Sequence, residues 1–180
     1  MNKKIFAQLL GYSQNNLDKV TQPYILETFG VEVARCDTLE QYTDAINDAS
    51  LDRYFSKYWE NDIKKWKYSG LALVDEVNSL RPRAVLDVGC GYNEFKGKID
   101  NLIGIDPYND KADIQVSTLE YRTTQKFDVM LCLGSVNFGS RDKIISEVGR
   151  CVDLLEDGGT MFFRVNPGVQ HNKPEAKWIE

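Results

Sequence analysis

The chain has 180 residues, a formal net charge of −5 and 42% apolar residues. That length suits one domain with a real buried core, and the acidic balance disfavours broad contact with a nucleic-acid backbone, although a local basic patch is compatible with it. Four scattered cysteines (Cys36, Cys90, Cys132, Cys151), without a CxxC pair or a nearby histidine, argue against a disulfide framework and against a metal site, and point to a reducing, cytoplasmic setting.

In chain order, the opening MNKKIFAQLLGYS is a poor signal peptide, because Gln8 breaks the apolar run and no cleavage site follows. No apolar run reaches membrane-spanning length, so no membrane contact is expected. Residues 1–69 read as a helical extension packed on the remainder, since no linker separates the two. Ile5, Phe6, Leu9 and Leu10 have helical spacing, and PYILETFG starts at Pro23 and closes at Gly30, a proline-first, glycine-last signature. Asp37 stands three residues before Glu40, a capping-box-like start for a helix with Leu39, Tyr42 and Ile46 on one face. Leu51, Tyr54, Phe55, Tyr58, Trp59, Ile63 and Trp66 continue that spacing. After Gly70, Leu71, Val74, Val77 and Leu80 predict another helix, ended by Pro82.

Residues 70–180 are expected to form the core domain. From Ala84 the predicted strands are, in order, AVLDV, LIGI, DIQV, FDVMLCL and TMFFRV. Between the last two, Ile144, Ile145, Val148, Cys151, Val152 and Leu155 mark an amphipathic helix stopped by Gly158 and Gly159. This alternation implies an α/β fold with a parallel sheet and right-handed crossovers. Ligands of such sheets bind beyond the carboxyl ends of the strands, beside the first one.

That place is occupied by DVGCGYN. Gly89 and Gly91 allow a tight turn and close approach of a ligand. A dinucleotide fingerprint needs a third glycine where this chain has Glu94, whose charge would face a pyrophosphate, and no Gly-Lys-Ser/Thr follows to make a phosphate loop. Asp87, ending the first strand, suits a ligand with positive charge. Asp106, ending the second, has two oxygens that can accept from a ribose diol. S-adenosylmethionine carries an ammonium, a sulfonium and a ribose diol, and no phosphate.

Asp87-Val88-Gly89-Cys90-Gly91, Ile105-Asp106, Phe127-Asp128-Val129 and LLEDGGTMFF together resemble class I S-adenosylmethionine-dependent methyltransferases, over about residues 70–170. The resemblance implies a Rossmann-like three-layer sandwich with a mostly parallel sheet in the order 3-2-1-4-5. It also implies that Asp87, Gly89, Cys90 and Gly91 hold the methionine end, Asp106 the ribose and Pro107 one adenine face. Ser117, Thr118 and Leu119 match the segment at the adenine edge, and Leu133 and Gly134 the backbone that receives the ligand's amino group. The short first helix and the GSVNFG turn are similar to compact methyltransferases of tailed bacteriophages.

Three departures stand out. Asn93 replaces the usual third glycine, and tolerates the left-handed conformation better than most residues. Ser117 stands where an aspartate is frequent. The family sheet has two further strands, six and seven, and this chain ends at Glu180 soon after the fifth, so either it is a fragment or the edge of strand five is covered by the tail, a second copy or a partner chain.

Each residue also has a plain structural reading. A glycine turn between strand and helix is frequently only structural, and Asp106 alone could cap a helix. Cys90 and Cys132 read as small buried fillers, and KYWENDIKKWKY as a helix with buried aromatics and solvated lysines more than as a base-stacking patch. Asn137, Asn166 and His171 are candidates for contact with substrate, with loop structure or solvation as the alternative. No catalytic residue is legible, because methyl transfer from a sulfonium needs alignment and exclusion of water more than a dedicated acid or base. The Asn/Asp-Pro-Pro-aromatic motif of amine methylation in DNA is absent, so nucleic acid is a disfavoured acceptor. The readings are therefore a methyltransferase for an unidentified acceptor, yielding S-adenosylhomocysteine, or a non-catalytic subunit that binds S-adenosylmethionine or a partner. A nicotinamide oxidoreductase is disfavoured by the missing glycine.

Overall fold

A computed structural model describes residues 22–32, 35–60 and 68–165. These fall into two units, divided between Trp66 and Lys67, with Phe138–Arg141 belonging to the first. In the first unit, α1 (Gln22–Phe29) has Pro23 in its opening turn and is closed by Gly30. Gly30 adopts φ 69° and returns its N–H to the Leu26 carbonyl at 2.8 Å, as the sequence signature predicts. In α2 (Leu39–Lys57) the cap is Thr38 and not Asp37. The Thr38 hydroxyl accepts the Gln41 N–H at 3.1 Å, and the Gln41 side chain accepts the Asp37 N–H at 2.7 Å, so the box lies one residue later than expected. Asp48 of α2 accepts both the N–H and the hydroxyl of Ser140, at 2.6 and 2.9 Å, and Phe55 meets Phe138 edge-on at 5.2 Å. The predictions for Ile5–Leu10, Ile63 and Trp66 lie outside the described residues.

The second unit starts with a 3-10 turn (Ser69–Leu73) running into α3 (Val74–Ser79). Val77 is fully buried there, but Leu80, predicted on the same face, is 48% exposed because the helix has already ended and Arg81 turns to φ 52° before Pro82. Four strands follow: β1 (Val85–Val88), β2 (Leu102–Ile105), β3 (Phe127–Leu133) and β4 (Leu155–Arg164). Between β3 and β4 lies α4 (Arg141–Leu154). The strands form one parallel sheet in the order β2-β1-β3-β4. β1 is buried along its whole length, as a strand covered on both faces should be.

The alternation of side chains sorts the core into two layers. Leu86, Val88, Met130 and Cys132 face Cys151 and Leu154 of α4. Val85, Val129 and Leu131 face Val77 of α3 together with Phe95, Ile99 and Leu102. The result is the expected three-layer α/β sandwich, with β3 and β4 standing as the predicted fourth and fifth strands.

Three local expectations are corrected. The predicted third strand, DIQV, is reduced to a single parallel bridge between Ile105 and Ile114. The Gly104 N–H, which a neighbouring strand's carbonyl would take, goes instead to the Asp113 carboxylate at 2.8 Å, and Lys96 fixes that carboxylate from its other side at 2.7 Å. The expected helix after the glycine turn is replaced by successive turns over residues 91–100, because Gly91, Asn93 and Gly97 all take positive φ (54°, 56° and 74°) and break any helical run. Finally, α4 stops at Leu154, ahead of Gly158 and Gly159. Both glycines lie inside β4, near where its register against β3 shifts, and Gly158 has φ 78°. β4 is the sheet margin among the described residues, with Phe163 44% exposed. The tail expected to cover it, HNKPEAKWIE at 171–180, lies outside the described residues. No helix among the described residues is long and apolar enough to cross a membrane.

Candidate functional site

The site grows from the carboxyl end of β1. The chain leaves the strand at Gly89 with φ 67°, and a Cβ at that position would lie 2.4 Å from the Cβ of Ser135, in the loop after β3. Only glycine lets the two strand ends come this close. The N–H groups of Gly89 and Cys90 both donate to the Ile105 carbonyl, at 2.8 and 3.0 Å, which ties the turn to the end of β2. Asn93 then takes the left-handed conformation foreseen for it, is 8% exposed, and donates to the Lys111 carbonyl at 3.0 Å. Its side chain and Cys90 lie over Gly104, where a Cβ would be 2.6 Å from Asn93 Oδ1 and 2.9 Å from Cys90 Sγ.

Two acids meet at this turn. Asp106 Oδ2 accepts the Gly91 N–H at 3.0 Å, and Oδ1 accepts the N–H groups of Tyr108 and Asn109 at 2.8 and 3.0 Å. These bonds leave acceptor capacity on Oδ2 alone, since Oδ1 already receives two donors. Asp87 is different. It is 2% exposed, and its buried Oδ2 has no hydrogen-bond partner. Burial, followed by the nearby charge of Asp106, pushes its carboxyl up to about 7. Ser135 Oγ is likewise buried without a partner. A carboxylate kept from water with nothing donating to it is a costly arrangement, and one that a cationic or donor-rich ligand relieves.

The remaining predicted residues are arrayed around this centre. Pro107 follows Asp106 directly and is exposed. The 117–119 segment is joined to β2 through the Val116 N–H, which donates to the Asp106 carbonyl at 3.1 Å. Within it Thr118 is buried, Leu119 is 38% exposed, and the Ser117 hydroxyl donates to Glu120 at 2.6 Å. Leu133 and Gly134 end β3, Gly134 with φ 83°. Asn137 is half-buried three residues further on, and Asn166 and His171 lie outside the described residues. Cys90 behaves as the filler expected, since burial, then Asp87, raises its thiol well above the usual range. Cys132 and Cys151 are buried thiols with Sγ atoms 3.9 Å apart. Among the described residues no group of three or more His, Cys, Asp or Glu is placed to hold a metal ion.

Sequence reasoning missed four contributors. Tyr68 packs edge-on against Phe95 at 5.6 Å, and its phenol is raised above its usual range by burial and by the charge of Asp87. Ser135 meets Gly89, and Arg164 Nη2 donates to the Leu133 carbonyl at 2.8 Å. Asp113 supports the turn through Gly104, Asn93 and Lys96. Burial pushes its carboxyl up, but those three contacts together outweigh it and hold the group below the ordinary carboxylate range. The available signal for Arg164 was a charge at the end of an apolar strand; for Tyr68 and Ser135 there was none, because their roles depend on pairing across distant segments.

The parallel sheet, its order and the acid-flanked glycine turn together define the fold of class I S-adenosylmethionine-dependent methyltransferases. The 1,6-didemethyltoxoflavin-N1-methyltransferase of Burkholderia thailandensis, solved with that substrate and S-adenosylhomocysteine bound, superposes with a TM-score of 0.50 at 15% identity. The match covers 72% of this chain and 65% of that one. A sugar N-methyltransferase from Streptoalloteichus matches with a TM-score of 0.47 at 18% identity, over 57% of this chain and 50% of that one. This chain thus spans less than two thirds of the length of either structure. No protein-family model and no curated protein matches the sequence.

Proposed function

We propose that this protein is an S-adenosylmethionine-dependent methyltransferase that leaves S-adenosylhomocysteine as product. The observation that carries the reading is the buried, unpartnered Oδ2 of Asp87 at the end of β1, beside a glycine turn that Asp106 pins in place. A dinucleotide or nucleotide ligand would bring phosphates to this pair of acids, and like charges there are repulsive. The amino-acid end of S-adenosylmethionine brings an ammonium, which supplies the donors that Asp87 lacks.

In this reading Asp87 and the Leu133–Gly134 backbone receive the ammonium, the free acceptor capacity of Asp106 Oδ2 takes one ribose hydroxyl, and residues 117–119 border the adenine. Bound S-adenosylmethionine supplies a methyl carbon already activated by its sulfonium. The chain then has to hold that carbon in line with the acceptor and exclude water. Asn137, Asn166 and His171 stand as candidates for contact with the acceptor.

The test is transfer of labelled methyl from S-adenosylmethionine to cell-extract fractions. Label appearing in a fraction with the parent chain, and lost with Asp87→Asn, supports the enzyme. Binding of S-adenosylhomocysteine with no transfer to any fraction would favour a non-catalytic binding subunit instead.

A further inference from the structure

We propose that Arg164 is the carboxylate anchor of this site, its guanidinium pairing with the carboxylate of the cofactor's amino-acid end beside the ammonium at Asp87. The inference rests on the cofactor reading above and extends it to a residue outside the sequence motifs. Arg164 ends β4 in register with Leu133 of β3. Two bonds fasten them: Arg164 Nη2 donates to the Leu133 carbonyl at 2.8 Å, and the Gly134 N–H donates to the Arg164 carbonyl at 2.9 Å. Leu131, two residues earlier, lies opposite Asp87 in β1, and Ser135, two residues later, packs against Gly89. The guanidinium therefore sits on the strand end that adjoins the glycine turn. The Tyr68 phenol, packed edge-on against Phe95, experiences the charges of both Arg164 and Asp87.

The charge pattern gives this position its meaning. Among the described residues, the other charges acting on Asp87 and Tyr68 are negative, those of Asp106 and Glu94 and of the Cys90 thiol. An amino acid presents an ammonium and a carboxylate on one carbon, so a purely acidic site attracts the first and repels the second. Arg164 supplies the missing opposite charge, and a guanidinium fork matches a carboxylate with two parallel bonds. The Leu133 carbonyl has two lone pairs, so it can keep the guanidinium oriented while accepting the ammonium.

Calorimetry on the full chain tests this with two ligands, S-adenosylhomocysteine and its decarboxylated analogue, which keeps the ammonium and the adenosine. Arg164→Gln should weaken S-adenosylhomocysteine about ten- to a hundredfold and leave the analogue's affinity unchanged, with Arg164→Lys between parent and Gln. Unchanged affinity for S-adenosylhomocysteine in Arg164→Gln overturns the proposal. Equal losses for both ligands also overturn it, since they mean that Arg164 only shapes the Leu133 strand end. Retained binding of the analogue shows that a variant is folded, and if Arg164→Gln does not fold, Arg164→Lys carries the same comparison. Failure of the parent chain to bind either ligand would instead remove the cofactor reading itself.

Discussion

Asp87 is where stability and function pull apart. Its carboxyl is raised from an ordinary 3.8 to about 7, so between those values the folded chain holds a proton that the unfolded chain has released. Its contribution to stability is therefore present below about pH 4 and is lost as pH rises through 7. Asp87→Asn should make the unliganded chain more stable at pH 8, by about 1–3 kcal/mol in chemical denaturation, while abolishing ligand binding. A destabilised variant would mean that Asp87 has partners in solution. Gly89 is the opposite case, a residue with no room to change. An alanine there meets Ser135 and must hold φ 67°, so Gly89→Ala should cost about 1–3 kcal/mol, and adding Ser135→Gly should return part of it. No recovery in the double variant would show that backbone strain alone sets the cost.

Among the elements, the segment between β1 and β2 does the work of a helix without being one. Phe95 and Ile99 are buried against the sheet from a series of turns, and the Asp113 carboxylate completes the edge of β2 by taking the Gly104 N–H. Asp113→Ala should cost about 1–2 kcal/mol in denaturation, a modest figure because the carboxylate is partly solvated. A fully neutral substitution would imply that water replaces it at Gly104. This segment also shows what was readable beforehand. The strands AVLDV, LIGI, FDVMLCL and TMFFRV were legible because each is an apolar run bounded by polar or turn residues. DIQV has a similar appearance, yet forms one bridge only, and the Gly104 N–H goes to the Asp113 side chain where a strand would offer a backbone carbonyl. The stop of α4 is hidden for a related reason. Gly158 and Gly159 look like a helix end, but the demand of β4 for register with β3 places them inside a strand.

At the scale of the whole molecule, the first strand, its turn and the second strand could be read from one stretch of sequence, Val85 to Asp106, whereas the residues packed around that turn, Ser135 against Gly89 and Tyr68 against Phe95, come from far apart in the chain. Sequence motifs located the acids; the fold alone shows that one of them is satisfied by backbone N–H groups and the other is left without a donor. That difference makes ligand binding dependent on pH. Asp87 has to be ionised to receive an ammonium, so binding releases a proton below about pH 7. The most direct measurement is calorimetry of S-adenosylhomocysteine against the 180-residue chain at pH 6 and pH 8. Saturable binding at one site is expected, about tenfold tighter at pH 8 than at pH 6, with that pH dependence and the binding itself lost in Asp87→Asn. A folded chain that shows no binding at millimolar ligand, or binds equally well at both pH values with Asp87 replaced, contradicts it.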